Sequence, residues 1–203
     1  MYDVVIVGAG IVGLATASAL RDQAPDLRLC VIDKEDAPAR HQTGRNSGVI
    51  HAGLYYKPGS LKALFCAAGV QRTIEFCERH GVAYEQCGKL VVATDESELG
   101  PLANIEARAS ANGVPIRRVA ADEIQDYEPK VVGAGAIFSP RTGIVDYVGM
   151  CSALVDDLRA GGVEFRFGAT LTDARETADG VIVGTAADEV QAKLLVNCAG
   201  LAA

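Results

Sequence analysis

The chain has 203 residues, of which 49% are hydrophobic and 22% charged. That balance can bury a core and excludes a disordered protein, and the length allows one large domain or one and a half. With 19 basic and 26 acidic residues the net charge is −7, which argues against general affinity for nucleic acid or an anionic membrane and requires any anionic ligand to find a local basic island.

Residues 2–7 are a β-branched run, the pattern of a parallel strand buried on both faces. The stretch from Val4 to Leu20 is apolar, but it has no basic leader and is interrupted by Gly8, Gly10 and Gly13. It therefore reads as strand, turn and helix rather than as a signal peptide or a span of about 20 apolar residues. Val12, Leu14, Ala17 and Leu20 recur at helical spacing until Pro25, and residues 27–32 form a second strand closing on Asp33. The segment from Ala37 to Ser60 is rich in glycine, polar residues and tyrosine, a site-like loop. Ser60 is placed to cap a helix with Leu61, Leu64, Phe65 and Ala68 on one face, and Gly81 stands where a left-handed end residue is wanted.

A strand is expected at 88–94, then a helix opened by Asp95 to Glu98 and ending near Gly113, with Pro101 as a complication. Residues 115–145 hold a short acidic helix from Asp122 to Tyr127 and a strand at 134–139, and read as an insertion. Asp146 caps a helix bearing Met150, Leu154 and Leu158, and strands follow at 163–167, 180–185 and 193–198. The six cysteines show no Cys-x-x-Cys pairing and read as buried thiols in a reducing compartment. Three histidines, apart from any paired cysteines, give no expectation of a metal. His80, next to Gly81, fits a helix end.

Gly8-Ala9-Gly10-Ile11-Val12-Gly13 is Gly-x-Gly-x-x-Gly between a strand and a helix. The first glycine permits the tight turn, the second the approach of a pyrophosphate, and the third close packing of helix on strand. The amides at Ile11 and Val12 would open the helix toward an anion. Asp33, 20 residues beyond Gly13, can accept hydrogen bonds from ribose hydroxyls, so the unit points to a dinucleotide, with NADP disfavoured by the carboxylate charge. Between Ala37 and Thr73 there is no Asp or Glu, yet Arg40, Arg45, Lys57, Lys62 and Arg72 occur with His41 and His51. This is the basic island. It serves either the cofactor phosphates and a solvated helix face, or an anionic substrate held by Arg45, Lys57 and Lys62 near Tyr55 and Tyr56.

The block from His41 to Lys62, with Gly88 to Thr94, Gly143 to Asp146 and Val196 to Gly200, resembles the L-2-hydroxyglutarate oxidase and dehydrogenase family. That family sits in the FAD-dependent oxidoreductase superfamily that also holds D-amino acid oxidase and glycerol-3-phosphate dehydrogenase. The resemblance covers nearly the whole chain and about the first half of the family pattern. It implies an α/β fold in which a Rossmann-like FAD-binding domain, a parallel sheet with helices, carries an inserted, incomplete α+β substrate domain. The division would be 1–81 and 146–203 for FAD and 82–145 for substrate. Gly8, Gly10, Ile11, Val12 and Gly13 would hold the FAD pyrophosphate, and Asp33 and Lys34 would lie at the adenosine end. Thr43, Arg45, Asn46, Ser47 and Gly48 would line the phosphate and flavin side, Leu171 would approach adenine by its backbone, and Ala199 and Gly200 would pass close to the cofactor. FAD would be held without a covalent bond.

The implied reaction is oxidation of a 2-hydroxy acid, L-2-hydroxyglutarate to 2-oxoglutarate, by hydride transfer to flavin N5, with oxygen or a quinone as electron acceptor. His51 is the candidate general base; it could instead hydrogen-bond the flavin or fix the loop. Arg45, Lys57 and Lys62 would hold carboxylates and Tyr55 would donate to substrate or pack. The alternatives are an amino acid or glycerol phosphate oxidoreductase of the same superfamily, or a nucleotide-binding fragment without activity. The expected location is the cytoplasm, with at most peripheral association at the inner membrane.

Overall fold

The structure, a computed structural model, describes residues 1–202. In chain order the elements are β1 (Tyr2–Val7), α1 (Ile11–Gln23), β2 (Leu29–Asp33), β3 (Val49–Ile50), α2 (Leu61–His80), β4 (Tyr84–Glu85), β5 (Lys89–Ala93) and α3 (Leu99–Ala111). They continue with β6 (Arg117–Val119), α4 (Ile124–Tyr127), β7 (Gly135–Ser139), β8 (Gly143–Val145), α5 (Tyr147–Ala160), β9 (Glu164–Phe167), β10 (Leu171–Thr177), β11 (Gly180–Thr185) and β12 (Glu189–Asn197). Two compact units result: Met1–Asn46 with the chain from Asp146 onward, and Ser47–Val145.

The first unit is built on a six-stranded sheet in the order β10-β11-β12-β1-β2-β9. Strands β12, β1, β2 and β9 are parallel, and β10, β11 and β12 form an antiparallel meander. The first residues of β12 (189–192) pair with β11 and residues 192–197 with β1, so one strand joins the two patterns. The β1 residues alternate between faces yet are all buried from Val4 to Val7, which is why the strand reads as an unbroken apolar run. Val5 and Val7 pack with Cys30, Ile32, Val181, Val183 and Val190. Helix α1 buries Gly13, Leu14 and Ala17 and packs against α5, whose Met150, Cys151, Leu154, Val155 and Leu158 are buried at helical spacing. Asp146 caps α5 by accepting hydrogen bonds at Oδ1 from the amides of Val148 (3.0 Å) and Gly149 (2.9 Å).

The second unit holds two small antiparallel sheets, β5-β7-β6 and β3-β8-β4. Strand β5 is packed on both sides by alternation. Val91 and Ala93 face Ala52, Leu54, Leu102, Ala109 and Ile137, while Leu90 and Val92 face Val119, Ile124 and Ala136. Full burial of a side chain such as Ile124 contributes about 1.5–3 kcal/mol. Pro101 sits in the first turn of α3, where no intrahelical amide is needed, and so leaves the helix intact.

Several expectations need correction. Leu61, Leu64 and Phe65 do share a face of α2, but they are exposed; the helix is seated by Ala63, Val70, Ile74 and Cys77 instead. The thiols are free, but only Cys30, Cys77 and Cys151 are buried; Cys66 and Cys198 are half-buried and Cys87 is exposed. As expected, His80 lies in the last turn of α2 and Gly81 closes the helix, left-handed at φ 66° with its amide on the Cys77 carbonyl; the His80 ring stacks on Phe76 at 4.2 Å. The second packing unit runs from Ser47 to Val145, and Ala52 and Leu54 of the 51–56 loop are buried in it with α3 and β7. Strand β10 was not foreseen, since its residues past Leu171 are exposed and carry no apolar alternation. Strand β12 begins at Glu189 rather than Lys193.

Candidate functional site

The glycine turn follows from steric necessity. Gly8 has φ +107°, and a Cβ there would stand 2.4 Å from the Cys198 carbonyl oxygen; a Cβ on Gly13 would stand 1.9 Å from the Gly8 carbonyl oxygen. These two glycines let α1 close onto β1 and β12. The strand ends under the turn are joined by hydrogen bonds from the Gly8 amide to the Ile32 carbonyl and from the Cys198 amide to the Val7 carbonyl, each 2.8 Å. Gly10 is the N-cap of α1 and provides no side-chain cap, and the first turn carries no acidic residue. The cap comes from elsewhere: Thr43 Oγ1 accepts from the Ile11 amide at 3.1 Å, and it is the one neighbour that a Cβ on Gly10 would meet. A helix N-terminus with its positive dipole end, and with no acidic residue in its own first turn, is suited to an anion.

Asp33 lies at the end of β2. Its Oδ2 accepts from the Ala9 amide at 2.6 Å and its Oδ1 from the Glu35 amide at 2.9 Å, which fixes the carboxylate beside the glycine turn. A carboxylate has about four acceptor positions, so capacity remains for ribose hydroxyls. The next residues are tied to one another. Glu35 receives the Lys34 ammonium, and the His41 ring nitrogen Nε2 lies 2.7 Å from its Oε1, so the Glu35 carboxyl is held down to about 2. Asn46 Nδ2 donates to the carbonyls of Thr43 (2.7 Å) and Gln42 (3.1 Å), closing the turn that presents Thr43. Arg45 is exposed and makes no ion pair among the described residues. The amides of Gly168 and Ala169 bond the carbonyls of Glu35 and Asp33, bringing the approach to Leu171 alongside the end of β2. The Leu171 side chain packs on the sheet core with Ala199.

In the second unit the loop 51–56 is held by its backbone. The Cys66 thiol, kept protonated because burial pushes it up, donates to the His51 carbonyl at 2.8 Å. Asn112 Nδ2 donates to the carbonyls of Tyr56 (2.9 Å) and Gly53 (3.2 Å), while Ala52 and Leu54 enter the core. The side chains of His51, Tyr55 and Lys57 are thereby left exposed on a fixed support. A small cleft of about 10 Å³ is lined by His51, Tyr55, Tyr56, Lys89 and Thr142 with the intervening loop backbone. Lys57 and Lys62 are exposed and do not line it. Ser47 and Gly48 belong to this unit, whereas Thr43, Arg45 and Asn46 belong to the first. No cluster able to hold a metal ion occurs among the described residues.

The family model for FAD dependent oxidoreductases matches residues 3–203. The chain belongs to that family. It is 44% identical to the L-2-hydroxyglutarate dehydrogenase of Escherichia coli (strain K12), over 100% of this chain and 48% of that protein. It is 41% identical to the mitochondrial L-2-hydroxyglutarate dehydrogenase of Homo sapiens, over 98% and 46%. The chain thus spans about half the length of the curated relatives it matches. Among solved structures it is similar to glycine oxidase from Geobacillus kaustophilus, with TM-score 0.87 and 22% identity over 98% of this chain and 55% of that one. It is also similar to L-alpha-glycerophosphate oxidase from Mycoplasma pneumoniae, with TM-score 0.85 and 24% identity over 96% and 52%. At those identities the likeness bears on the fold, which is α/β with a partly parallel sheet.

The cofactor of an FAD dependent oxidoreductase is FAD, and the first unit fits its ADP part: a turn in which Gly8 and Gly13 admit no Cβ, an α1 N-terminus without its own cap, and a carboxylate fixed at the end of β2. Sequence reasoning did not find Asn112, Cys66 or Lys89. Asn112 before Gly113 has the look of an ordinary helix end. Lys89 was hidden inside a strand whose alternation, Lys89-Val91-Ala93, would have put it on the face that meets the 51–56 loop.

Proposed function

We propose that this chain takes part in the FAD-dependent oxidation of a 2-hydroxy acid, L-2-hydroxyglutarate to 2-oxoglutarate. The observation that carries the reading is the acid-free segment from 37 to 73, whose His51, Tyr55 and Lys57 side chains project from a loop pinned by Cys66 and Asn112. Its likeness to proteins named L-2-hydroxyglutarate dehydrogenase supports the choice of substrate. When bound, FAD supplies a two-electron acceptor at N5 for the hydride of the substrate's C2.

The chain's own residues do the rest. His51 takes the proton of the C2 hydroxyl, so that C2–H and O–H bonds break as the C=O bond forms. Arg45, with a planar fork suited to bidentate binding, grips the carboxylate beside the reacting carbon, with Lys57 and Lys62 adding positive charge and Tyr55 a hydroxyl. Gly8, Gly10, Ile11, Val12 and Gly13 receive the pyrophosphate, Asp33 and Lys34 the adenosine end, and Leu171 the adenine. Thr43, Asn46, Ser47, Gly48, Ala199 and Gly200 complete the cofactor contacts. In this reading residues 1–81 and 146–203 serve FAD and 82–145 the substrate. The electron acceptor is oxygen or a quinone, and the location is the cytoplasm, with at most peripheral contact with the inner membrane. No helix among the described residues is long and apolar enough to cross a membrane.

The test is His51→Gln in the full-length protein. The variant should keep its yellow colour while the rate of flavin reduction by L-2-hydroxyglutarate falls by about 10²- to 10⁴-fold. An unchanged rate would remove His51 from the reaction.

A further inference from the structure

The face of β5 that enters the core with Val91 and Ala93 becomes polar at one end. There Lys89 stands opposite Ser139 of β7 in register, on the side where Ile137 and the 51–56 loop pack. Ser139 and Thr142 are buried polar side chains, 0% and 4% exposed, and the Thr142 hydroxyl lies 3.3 Å from that of Ser139. The Lys89 ammonium lies 5.0 Å from the centre of the Tyr55 ring and forms no ion pair among the described residues. A ring face holds an ammonium without neutralising it, so its charge and donors stay free. Lys89, Tyr55, Thr142 and His51 line the same cleft, and its volume of about 10 Å³ admits about one water-sized group.

We propose that Lys89, steadied by Tyr55 and backed by Thr142, is a specificity-determining residue that binds the distal carboxylate of a dicarboxylic 2-hydroxy acid. The inference rests on the proposed reaction and adds what that reading left unassigned, the preference for a second carboxylate. A single ammonium suits one carboxylate oxygen, the grip needed for an end group that only has to be held and not aligned for reaction. The polar end of the β5 face is explained as well: a lysine without a counter-charge, next to two buried hydroxyls, is poorly served by the protein alone and well served by an anion.

The experiment uses the FAD-loaded full-length protein and its Lys89→Gln and Lys89→Arg variants. It measures kcat and KM for L-2-hydroxyglutarate and for the monocarboxylic L-2-hydroxybutyrate, and the affinities of glutarate and butyrate from the flavin difference spectrum. Lys89→Gln should raise KM for L-2-hydroxyglutarate and weaken glutarate by about 10- to 100-fold, with kcat nearly unchanged, no effect on the monocarboxylic pair, and partial recovery in Lys89→Arg. Unchanged dicarboxylate preference, or an equal loss with both substrates, overturns the assignment. If the wild-type protein fails to oxidise L-2-hydroxyglutarate, the reaction itself is wrong, while the comparison of glutarate with butyrate still judges Lys89. Lys89→Met, which keeps an apolar stem on Tyr55, repeats the test if Lys89→Gln does not retain flavin.

Discussion

At the scale of single residues, Asp33 holds two parts of the chain at once, accepting the amides of Ala9 and Glu35. Asp33→Ala should strand the Ala9 amide, destabilise the FAD-free protein by about 1–3 kcal/mol and weaken FAD by about 10-fold or more. Denaturant melts of the FAD-free protein and equilibrium dialysis against FAD would show both, and undiminished flavin retention would discredit the ribose assignment. Gly8, Gly13 and Asp33 were legible in the sequence because their spacing is set by covalent geometry and sterics, which do not depend on distant packing. Lys89 and Asn112 were not. Their neighbours in space, Tyr55 for one and the carbonyls of Gly53 and Tyr56 for the other, are more than fifty residues away from Asn112 and over thirty from Lys89 in the chain.

At the scale of elements, caps were the dependable signal. Ser60 accepts from the Ala63 amide, Asp95 from the Ser97 amide, and Asp146 from two amides, each at the position from which the sequence predicts a helix start. Asp146→Ala should therefore cost about 1–2 kcal/mol, seen as a lower denaturation midpoint with an unchanged slope; a change within error would show that α5 is fixed by its buried face alone. Periodicity was less decisive. It identified α2 but not the face it buries, since the 61/64/65/68 stripe and the 63/70/74/77 stripe are both apolar at helical spacing. The two-residue strands β3 and β4 and the three-residue β6 and β8 are too short for alternation to show, and are set by pairing with segments far along the chain.

At the scale of the whole molecule, stability should fall toward both ends of the pH range. Glu35 is held down to about 2 by the Lys34 ammonium and the His41 ring, against an ordinary value of 4.5. The Arg118 guanidinium lowers Glu106 in the same direction, and hydrogen bonds from Lys193 and the Arg28 amide lower Asp3. The stabilisation from these depressed carboxyls is present above the unfolded value and is lost as pH falls from about 4.5 toward 2. Burial pushes the thiols of Cys30 and Cys151 up to about 12 from an ordinary 9.0, so the unfolded chain ionises first and stability declines as pH rises from about 9 to 12. Denaturant midpoints measured across pH should trace this dome, and Glu35→Gln should soften its acid limb; an identical acid limb in that variant would count against the Lys34-Glu35-His41 cluster.

The nucleotide-binding half of this account and its oxidation chemistry meet in one observable, the colour of the flavin. The full-length protein, purified, freed of oxygen and titrated with L-2-hydroxyglutarate, should lose its flavin absorbance with one 2-oxoglutarate formed per flavin. A yellow protein that does not bleach with this acid, or a folded colourless one that takes up no added FAD, would contradict it.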